Sequence, residues 1–412
     1  MIRQLVVRSF KSLAHVEVEL GRVNLFIGAN GSGKTNILEA VGVLGAAASG
    51  RVDDESLQRR GVRLGLPALY KTSFRGMRVD PFIHFLADWQ ASPRHASYGV
   101  GISNPIEAPR PAWLYRTEKL TEDGRTILGR SSASKRRWNP EAGLAALHLV
   151  ERDPEAPAAL MLTALRDFVI YAPTTAALRA VVPDPQSREP VGLSGGRLPE
   201  AVMELLRLRF ARRQDSPSGH AVLKPDAFYR RVTDEARRLI SWANMYGAGL
   251  RSAGTLSPGV PSGRMTLRFR DRYMVEGRNT LTGYDASEGA LYVLFAAVLA
   301  GHPGVPPFFA VDNFDHSLNP LLARALVERF CAWVRDAPSV RQVLLTTHNP
   351  LVLDGLDLTD DSVRLFAVDR REDGHTDVQR IVVDSNLLKR AGEGWTLSRL
   401  WVMGEIGGIP NV

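Results

Sequence analysis

The segment from Gly28 to Thr35, with the sequence GANGSGKT, contains the residue types that hold the phosphates of a nucleoside triphosphate. It fits the pattern G-x-x-x-x-G-K-[ST] and lies between the apolar run VNLFI and a segment with helical spacing, which is the context that the motif needs. Its glycines allow backbone N–H groups to turn inward around phosphate oxygens at the start of the helix. The sequence therefore predicts a nucleoside triphosphate site.

Each residue type in this loop has an expected part. Lys34 supplies a positive charge for the β- and γ-phosphates, and the hydroxyl of Thr35 is expected to bind Mg²⁺. The other residues of the loop that we expect to contact the nucleotide are Gly28, Asn30, Gly31, Ser32, Gly33 and Asn36. We therefore expect ATP and Mg²⁺ as the cofactors.

The stretch PPFFAVDNFDHSLNP, residues 306 to 320, places Asp312 after an apolar run, as in the metal-binding strand of many nucleotide-hydrolysing proteins. The next residue is Asn313, where such proteins usually have a glutamate that activates water. An amide cannot act as a base, although it can position water by hydrogen bonds. Asp315 is the nearby carboxylate that could substitute, and we expect it in a loop that faces a partner subunit. Slow hydrolysis of ATP is therefore expected.

Two Ser-Gly turns could supply a signature, the turn at a helix start that grips the γ-phosphate bound to a partner subunit. One is LSGGR, residues 193 to 197, and the other is formed by Ser287, Glu288 and Gly289. A signature turn must open a buried helix that leads shortly to the metal-binding strand. Gly289 precedes Asp312 by 23 residues, whereas LSGGR lies more than a hundred residues upstream. Position favours the second turn, and we interpret LSGGR as a turn and helix cap.

Together these motifs resemble those of the RecF, SMC and OLD-type ATPases. The opening SFKS, residues 9 to 12, is similar to their N-F-[KR]-S segment and contains Lys11. The segment TTHNP, residues 346 to 350, is similar to their switch segment and contains His348. The resemblance covers both ends of the chain, while the middle, about 104 to 255, matches little that can be assigned.

The resemblance implies an α/β fold, an ABC-type P-loop ATPase head whose mixed sheet has a parallel core, with a helical insertion. It also implies a head-to-head dimer with two composite sites, in which the phosphate loop of one subunit faces the signature of the other. Lys11 would contact the nucleotide and His348 would sense the γ-phosphate. Asp312, Asn313 and Asp315 complete the expected catalytic set, and Thr35 with Asp312 would hold the metal. From the residues alone, a histidine after the apolar strand RQVLL lies where open parallel sheets place ligand-binding residues, although a lone histidine is more often structural.

The patterns divide the chain into an N-terminal ATPase lobe (1–145), a helical insertion (146–255) and a C-terminal ATPase lobe (256–412). Alternating apolar and polar residues predict two or three strands before the phosphate loop and a hairpin over 81 to 103. Residues 104 to 140 are weakly patterned and are expected to form loops. Strand–helix alternation in the last third favours a parallel sheet.

The composition is ordinary for a soluble globular protein, with 44% apolar and 23% charged residues. We find no apolar run of membrane-spanning length, no signal-peptide pattern and one cysteine, Cys331, so we expect no membrane association and a cytoplasmic location. The net charge of +8 and the pI of about 9.8 favour an acidic partner. Basic stretches at 129–138, 206–213 and 228–238 predict sequence-independent contact with DNA, against the alternative of solvated faces.

We expect a cytosolic, dimeric, ATP-driven switch that associates with DNA and controls a separate effector. OLD-type nucleases have a Toprim domain after the ATPase, but the 62 residues that follow Pro350 (351–412) are too few for one, so a nuclease would be another polypeptide. Stand-alone heads resemble the ATPase subunits of bacterial anti-phage systems such as Septu, which implies a defence role. The alternatives are a RecF-like DNA repair clamp and a non-hydrolysing scaffold that uses ATP only to fix its shape.

Overall fold

A computed structural model gives the fold of most of the chain. It describes residues 1–76, 80–91, 93–131, 138–147, 153–210, 226–251, 256–261, 263–382 and 394–407, and the backbone of 212–214 and 222–224. Within these ranges no helix is long and apolar enough to cross a membrane. The framework consists of two six-stranded sheets and smaller sheets of three and two strands.

The strands, in chain order, are β1 (Ile2–Phe10), β2 (Leu13–Glu19), β3 (Val23–Ile27), β4 (Ile83–Ala91), β5 (Arg94–Ser103), β6 (Leu114–Glu122), β7 (Arg125–Arg130), β8 (Val169–Tyr171), β9 (Arg212–Gln214), β10 (Val222–Lys224), β11 (Ala243–Leu250), β12 (Met265–Asp271), β13 (Thr280–Thr282), β14 (Phe308–Val311), β15 (Gln342–Thr347), β16 (Val363–Arg370) and β17 (Thr376–Ile381). The α-helices are α1 (Lys34–Ala48), α2 (Asp54–Gln58), α3 (Pro67–Tyr70), α4 (Pro157–Asp167), α5 (Thr175–Leu178), α6 (Leu198–Leu208), α7 (Ala227–Leu239), α8 (Glu288–Gly301), α9 (Pro320–Asp336) and α10 (Leu397–Val402). A 3₁₀ helix covers Pro350–Gly355.

The first six-stranded sheet is antiparallel, with the order β2-β1-β4-β5-β6-β7. The hairpin expected over 81 to 103 is confirmed as β4 and β5. The prediction that residues 104 to 140 form loops is wrong, because β6 and β7 form a second hairpin there. Its turn residues, Asp123 and Gly124, both have positive φ (48° and 79°), the conformation that Asp-Gly favours in two-residue hairpin turns. That dipeptide was the sequence signal for the hairpin.

The central sheet has the order β17-β16-β3-β15-β14-β8. All its neighbouring pairs are parallel except β16 with β17, which confirms the expected mixed sheet with a parallel core. The insertion expected over 146–255 is not purely helical, because β8 from that segment pairs with β14 in the central sheet and β9, β10 and β11 also lie in it. A strand of three buried residues, Val169–Tyr171, is too short to show an alternating pattern. The lobe boundaries themselves stay a prediction.

The strands β3, β8 and β14 of this sheet are buried along their whole length and consist almost entirely of apolar residues, as is typical of parallel strands covered on both faces. Consecutive residues of β3 face different cores: Phe26 packs with α1 and the antiparallel sheet, whereas Leu25 packs with the apolar sides of α8 and α9. Helix α1 lies between the two large sheets, and this position explains why nearly all of its residues are buried. The parallel strands β3, β14 and β15 end at the same edge, where ligand-binding loops are expected.

Gln342 joins the two large sheets at their opposite edge. Its amide oxygen accepts from the Ile2 N–H at 3.0 Å, and its amide nitrogen donates to the carbonyls of Ile2 (2.7 Å) and Gly21 (2.8 Å). The side chain is almost completely buried, with 3% of the residue exposed. Because buried polar groups need partners, these bonds fix where β1 meets β15.

Replacing Gln342 by leucine keeps a similar volume but leaves the buried Ile2 groups without partners. We expect the free energy of unfolding to fall by about 3 kcal/mol, since each unsatisfied buried group costs roughly 1–3 kcal/mol. Urea unfolding measures the change, with Gln379→Leu as the control because Gln379 is exposed. Equal effects of the two substitutions would contradict the role of Gln342.

Candidate functional site

The phosphate loop connects β3 to α1 as the sequence predicts. Gly31 and Gly33 have φ values of 80° and 110°, in the region that favours glycine. A Cβ atom at Gly28 would lie 2.1 Å from the Val368 carbonyl oxygen, and one at Gly33 would lie 2.1 Å from the Thr376 hydroxyl. The backbone of this loop can therefore be built only with glycine at these positions.

Lys34, the first residue of α1, is buried within the loop, with 7% of the residue exposed. Its ammonium group donates to the carbonyls of Gly28 (2.7 Å) and Ala29 (2.8 Å), so one of its three N–H donors remains for a phosphate oxygen. Burial lowers the pKa of Lys34, while the negative charges of Asp312 and Asp315 act in the opposite direction. The hydroxyl of Ser32 is buried and has no hydrogen-bond partner among the described residues, which fits a site shaped for a bound anion.

The hydroxyl of Thr35 meets the carboxylate of Asp312 at the edge of the sheet. It donates to Asp312, whose two oxygens lie 2.9 and 3.1 Å away. Thr346 donates to the same carboxylate from β15 at 2.5 Å. A hydroxyl and a carboxylate are the oxygen donors that Mg²⁺ uses beside substrate phosphates, so these two expected metal ligands fit the ion. Among the described residues no group of three or more His, Cys, Asp or Glu could hold a metal by itself.

Asn313 follows Asp312 with a φ of 53°, in the left-handed region that asparagine adopts more readily than most residues. Its backbone N–H donates to the Thr346 hydroxyl at 2.8 Å, which continues the network from Asp312. The side chain is exposed at the rim of the site. The structure thus places an amide where a water-activating carboxylate was expected in this type of protein.

Asp315 lies elsewhere than expected. Instead of lying in an exposed loop that could face a partner, it is buried (6% exposed), and the Thr347 hydroxyl donates to one of its carboxylate oxygens at 2.8 Å. The other oxygen lies 3.6 Å from Nε2 of His348, the expected switch residue, whose side chain is half-exposed just after β15. Asp315 therefore lies beside His348 within the same head.

Lys11 has an unexpected partner, Glu39, a fully buried residue of α1. The Lys11 ammonium lies 2.5 Å from one carboxylate oxygen, and Nε of Arg63 lies 2.7 Å from the other. Burial would raise the pKa of Glu39, but Arg63 and Lys11 outweigh it and hold the pKa below its ordinary value. Sequence reasoning missed Glu39 and Arg63, although a carboxylate on an otherwise apolar helix face was a signal that cationic partners exist.

A cleft of about 470 Å³ opens beside the phosphate loop at this cluster. Its lining includes Lys11, Asn36 and Arg63, together with the rings of Tyr70 and Phe74. The Lys11 ammonium lies 4.9 Å from the centre of the Tyr70 ring. Cations beside aromatic rings suit the base and sugar end of a nucleotide whose phosphates occupy the loop.

The hairpin of β16 and β17 closes over the phosphate loop. The Thr376 hydroxyl donates to the Ser32 carbonyl at 2.7 Å and lies 2.6 Å from the hydroxyl of Ser12. Asn36 donates to that Ser12 hydroxyl at 2.8 Å. Arg370 donates to the Gly31 carbonyl at 3.2 Å. The loop, which also contains Asn30, is thus held by residues from both ends of the chain.

The predicted signature turn opens α8. Ser287 is its exposed N-cap and accepts from the Trp242 indole N–H at 3.3 Å, and hydrogen bonds with Ser317 and Thr175 lower the pKa of the exposed Glu288. A cleft of about 440 Å³ lies over this turn and includes Gly289. None of the described residues that line this cleft belongs to the phosphate loop.

The alternative signature, LSGGR, forms a turn before α6, which confirms its interpretation. The carboxylate of Asp184 accepts from the backbone N–H groups of Ser194 and Gly196, both at 3.0 Å. These N–H groups are therefore already occupied and are not available to a phosphate.

Several arginines of the three basic stretches already have partners within the protein, which the sequence analysis did not predict. Arg130 is buried and donates to the carbonyls of Tyr115 and Ala142, so it is not a surface cation. Three arginines of the helical stretches form ion pairs with acidic side chains: Arg209 and Arg230 with Asp234, and Arg231 with Asp336. Lys135, Arg136, Arg137 and Arg213 lie outside the residues whose side chains the structure describes.

Comparison with known protein families finds two matches. Residues 207–354 match the family described as "AAA domain, putative AbiEii toxin, Type IV TA system". Residues 1–54 match the family described as "AAA ATPase domain". The two matches contain the phosphate loop, the signature turn, Asp312 and His348, and residues 55–206 lie outside both of them.

The curated relatives include two DNA replication and repair proteins RecF. That of Clavibacter michiganensis subsp. michiganensis (strain NCPPB 382) is 32% identical over 113 residues, which is 27% of this chain and 27% of the relative. That of Clavibacter sepedonicus is 36% identical over 83 residues, 19% of this chain and 20% of the relative. The matches thus span less than a third of each relative's length.

Among solved structures, the chain is similar to the Smc head in the "Crystal structure of the SmcHead bound to the C-winged helix domain of ScpA". The TM-score is 0.54 at 13% sequence identity, over 94% of this chain and 99% of the other. At this identity the likeness concerns the fold, which is that of an SMC head.

Lys34→Ala tests the nucleotide site. We expect the substitution to remove most of the affinity for ATP, because Lys34 is the positive charge inside the loop. Calorimetry with ATP and Mg²⁺ measures the binding, and Lys119→Ala is the control because Lys119 is exposed on the antiparallel sheet. Undiminished binding by Lys34→Ala would show that the nucleotide site lies elsewhere.

Proposed function

We propose that this chain, which has a RecF/SMC-type ABC ATPase head, is a nucleotide-controlled switch that closes as a head-to-head dimer around ATP and Mg²⁺. The observation that carries the proposal is the separation of the two halves of the expected site. The phosphate loop and Asp312 lie at the edge of the central sheet, while the signature turn borders a cleft whose described lining contains no phosphate-loop residue. A second copy supplies the missing half.

In the proposed composite site each half has a separate part. One subunit contributes Lys34, Thr35 and Asp312, which hold the phosphates and Mg²⁺, while His348 senses the γ-phosphate. The partner contributes its signature turn, whose exposed hydroxyl and helix N-terminus are suited to a phosphate. Mg²⁺ would neutralise negative charge on the phosphates. ATP bound between the two heads then holds them together.

We propose that this dimer hydrolyses ATP slowly. Phosphoryl transfer depends mostly on positioning and charge stabilisation, so loss of a water-activating carboxylate slows turnover without abolishing it. Asn313 can orient water but cannot take its proton. Slow turnover would keep the dimer closed for long periods and reset it rarely.

We place this switch in the cytosol, associated with DNA and acting on a separate effector, a nuclease, in anti-phage defence. The family description that matches residues 207–354 refers to a toxin of a type IV TA system, which favours a defence setting. The net charge of +8 favours an acidic partner. Copurification with the products of neighbouring genes tests the effector, and recovery of no nuclease would contradict it.

A RecF-like DNA repair clamp is the second candidate. The matches to the RecF proteins of two Clavibacter species favour it. Both candidates share the ATP-closed dimer and contact with DNA, and they differ in the partner. A nuclease gene beside this one supports defence, whereas sensitivity of a deletion strain to DNA damage supports repair.

Ser287→Arg tests the composite site. The added bulk and positive charge should block ATP-dependent dimerisation while ATP binding to the monomer stays intact, because Ser287 is exposed and away from the phosphate loop. Light scattering with and without ATP measures dimerisation. Ser194→Arg, in LSGGR, is the matched control and should still dimerise. If Ser194→Arg blocks association and Ser287→Arg does not, the signature has been assigned to the wrong turn.

Asn313→Glu tests slow hydrolysis. A carboxylate at this position should raise steady-state turnover roughly tenfold or more, since general-base catalysis typically contributes at least that much. The φ of 53° opposes glutamate, and Asn313→Ala is the control that has the same backbone cost without a base. Fast turnover by the unmodified protein that Asp315→Asn abolishes would make Asp315 the base. No turnover by any variant would favour the scaffold alternative.

A further inference from the structure

Trp242 lies against the hydroxyl of the predicted signature turn. It is in the loop between α7 and β11 and lines the same cleft of about 440 Å³ as Ser287, Glu288 and Gly289. Its indole Nε1 lies 3.3 Å from Oγ of Ser287. A hydrogen bond therefore joins this loop to the residue that opens α8.

Packing and backbone hydrogen bonds hold Trp242 in this position. The centre of its ring lies 5.3 Å from that of Phe269 in β12, and the side chain packs against the core. The Trp242 carbonyl accepts from the Arg272 N–H, and the next N–H, that of Ala243, donates to the Ile240 carbonyl, both at 3.0 Å. Because both the backbone and the ring are restrained, the indole N–H is directed at the turn.

The chemistry of indole sets the direction of the hydrogen bond to Ser287. A tryptophan side chain has one N–H donor and no acceptor, so the Ser287 hydroxyl must accept. A serine hydroxyl that accepts through a lone pair keeps its own proton for another partner. Among the described residues, the Ser287 hydroxyl has no hydrogen bond besides the one from Trp242. The hydroxyl is thus prepared to donate to an anion such as a phosphate oxygen.

Ser287 does not cap the helix that it opens. A serine at the N-cap commonly accepts from a backbone N–H of the first helical turn, but the Ser287 side chain makes no such bond to α8. The N–H groups of this turn are therefore not occupied by the hydroxyl. Because such groups favour a bound anion, the contact with Trp242 leaves both the hydroxyl and the helix N-terminus available to a phosphate.

We infer that Trp242 is a positioning residue of the signature turn. Its indole N–H holds the Ser287 hydroxyl as a donor toward the terminal phosphate of a nucleotide bound to a second copy of this chain. The inference rests on the proposed ATP-closed dimer. Without the indole N–H, the hydroxyl would turn to cap α8, and its contact with the phosphate would weaken. Binding of ATP within one head does not require Trp242, since no described residue of its cleft belongs to the phosphate loop.

Trp242→Phe tests this role, because it keeps an aromatic ring against Phe269 and removes the N–H donor. We expect ATP-dependent dimerisation to weaken roughly tenfold or more, since the dimer has two such contacts and hydrogen bonds to charged groups are strong. The affinity of the monomer for ATP, measured by calorimetry, should stay unchanged. Trp89→Phe is the matched control, because the Trp89 indole N–H has no partner among the described residues.

Ser287→Ala, alone and combined with Trp242→Phe, separates positioning from packing. If Trp242 acts through the hydroxyl, the double variant dimerises no more weakly than Ser287→Ala alone. Additive losses would show that the ring acts by itself and would overturn the inference. Urea unfolding checks that Trp242→Phe folds. Should it not fold, Ser287→Ala still decides, because unchanged dimerisation of that variant overturns the inference.

Light scattering of the unmodified protein with ATP distinguishes failure of this inference from failure of the proposed switch. Dimerisation that Trp242→Phe leaves unchanged overturns the inference and leaves the switch standing. Failure of the unmodified protein to dimerise with ATP contradicts the switch and the inference together. Weaker dimerisation of Trp242→Phe, with ATP binding to the monomer intact and Trp89→Phe unaffected, supports the inference.

Discussion

The carboxylate of Asp312 is the point at which the main elements of this head are joined. The carboxylate accepts hydrogen bonds from the hydroxyls of Thr35 at the start of α1 and Thr346 in β15. The backbone N–H of Asp312 donates to the Tyr171 carbonyl of β8. A half-buried carboxylate is costly unless it is hydrogen-bonded, so these partners have to come together for the sheet edge to form. The same bonds place a metal ligand where the phosphate loop begins its helix. Residue 312 thus joins α1, β15 and β8, and its carboxylate is at the same time an expected metal ligand.

The cations around the loop are held in place by the protein itself. Lys34 donates to loop carbonyls, Lys11 and Arg63 share Glu39, and Arg370 donates to Gly31. A ligand that binds to groups already in position pays less conformational entropy than one that must order them. The buried Glu39 also offsets part of the mutual repulsion of these cations. The phosphate-loop half of the site is thus arranged before any nucleotide arrives, and in the proposed dimer a second copy would add the other half.

The parts of this structure that the sequence predicts are those set by local patterns. The phosphate loop, α8, α9 and the apolar strands each follow from a motif or a period within about fifteen residues. What sequence reasoning missed depends on contacts between distant residues: the burial of Asp315 requires Thr347, and the Lys11 partner lies 28 residues away on α1. The three-residue strand β8 has no periodicity to detect, because its pairing with β14 defines it. The β6–β7 hairpin is different, since its Asp-Gly turn was present and was overlooked.

Strand β3 is flanked on both sides by strands from the far end of the chain, β15 and β16. During synthesis on a ribosome, VNLFI therefore emerges long before either neighbour exists. At roughly 5–20 residues per second, the interval before β16 is complete is on the order of tens of seconds. An apolar strand with both edges open for that time is a template for wrong pairing between nascent chains. We therefore expect the central sheet to close only after β16 has been translated, and the exposed edges of VNLFI to need shielding until then.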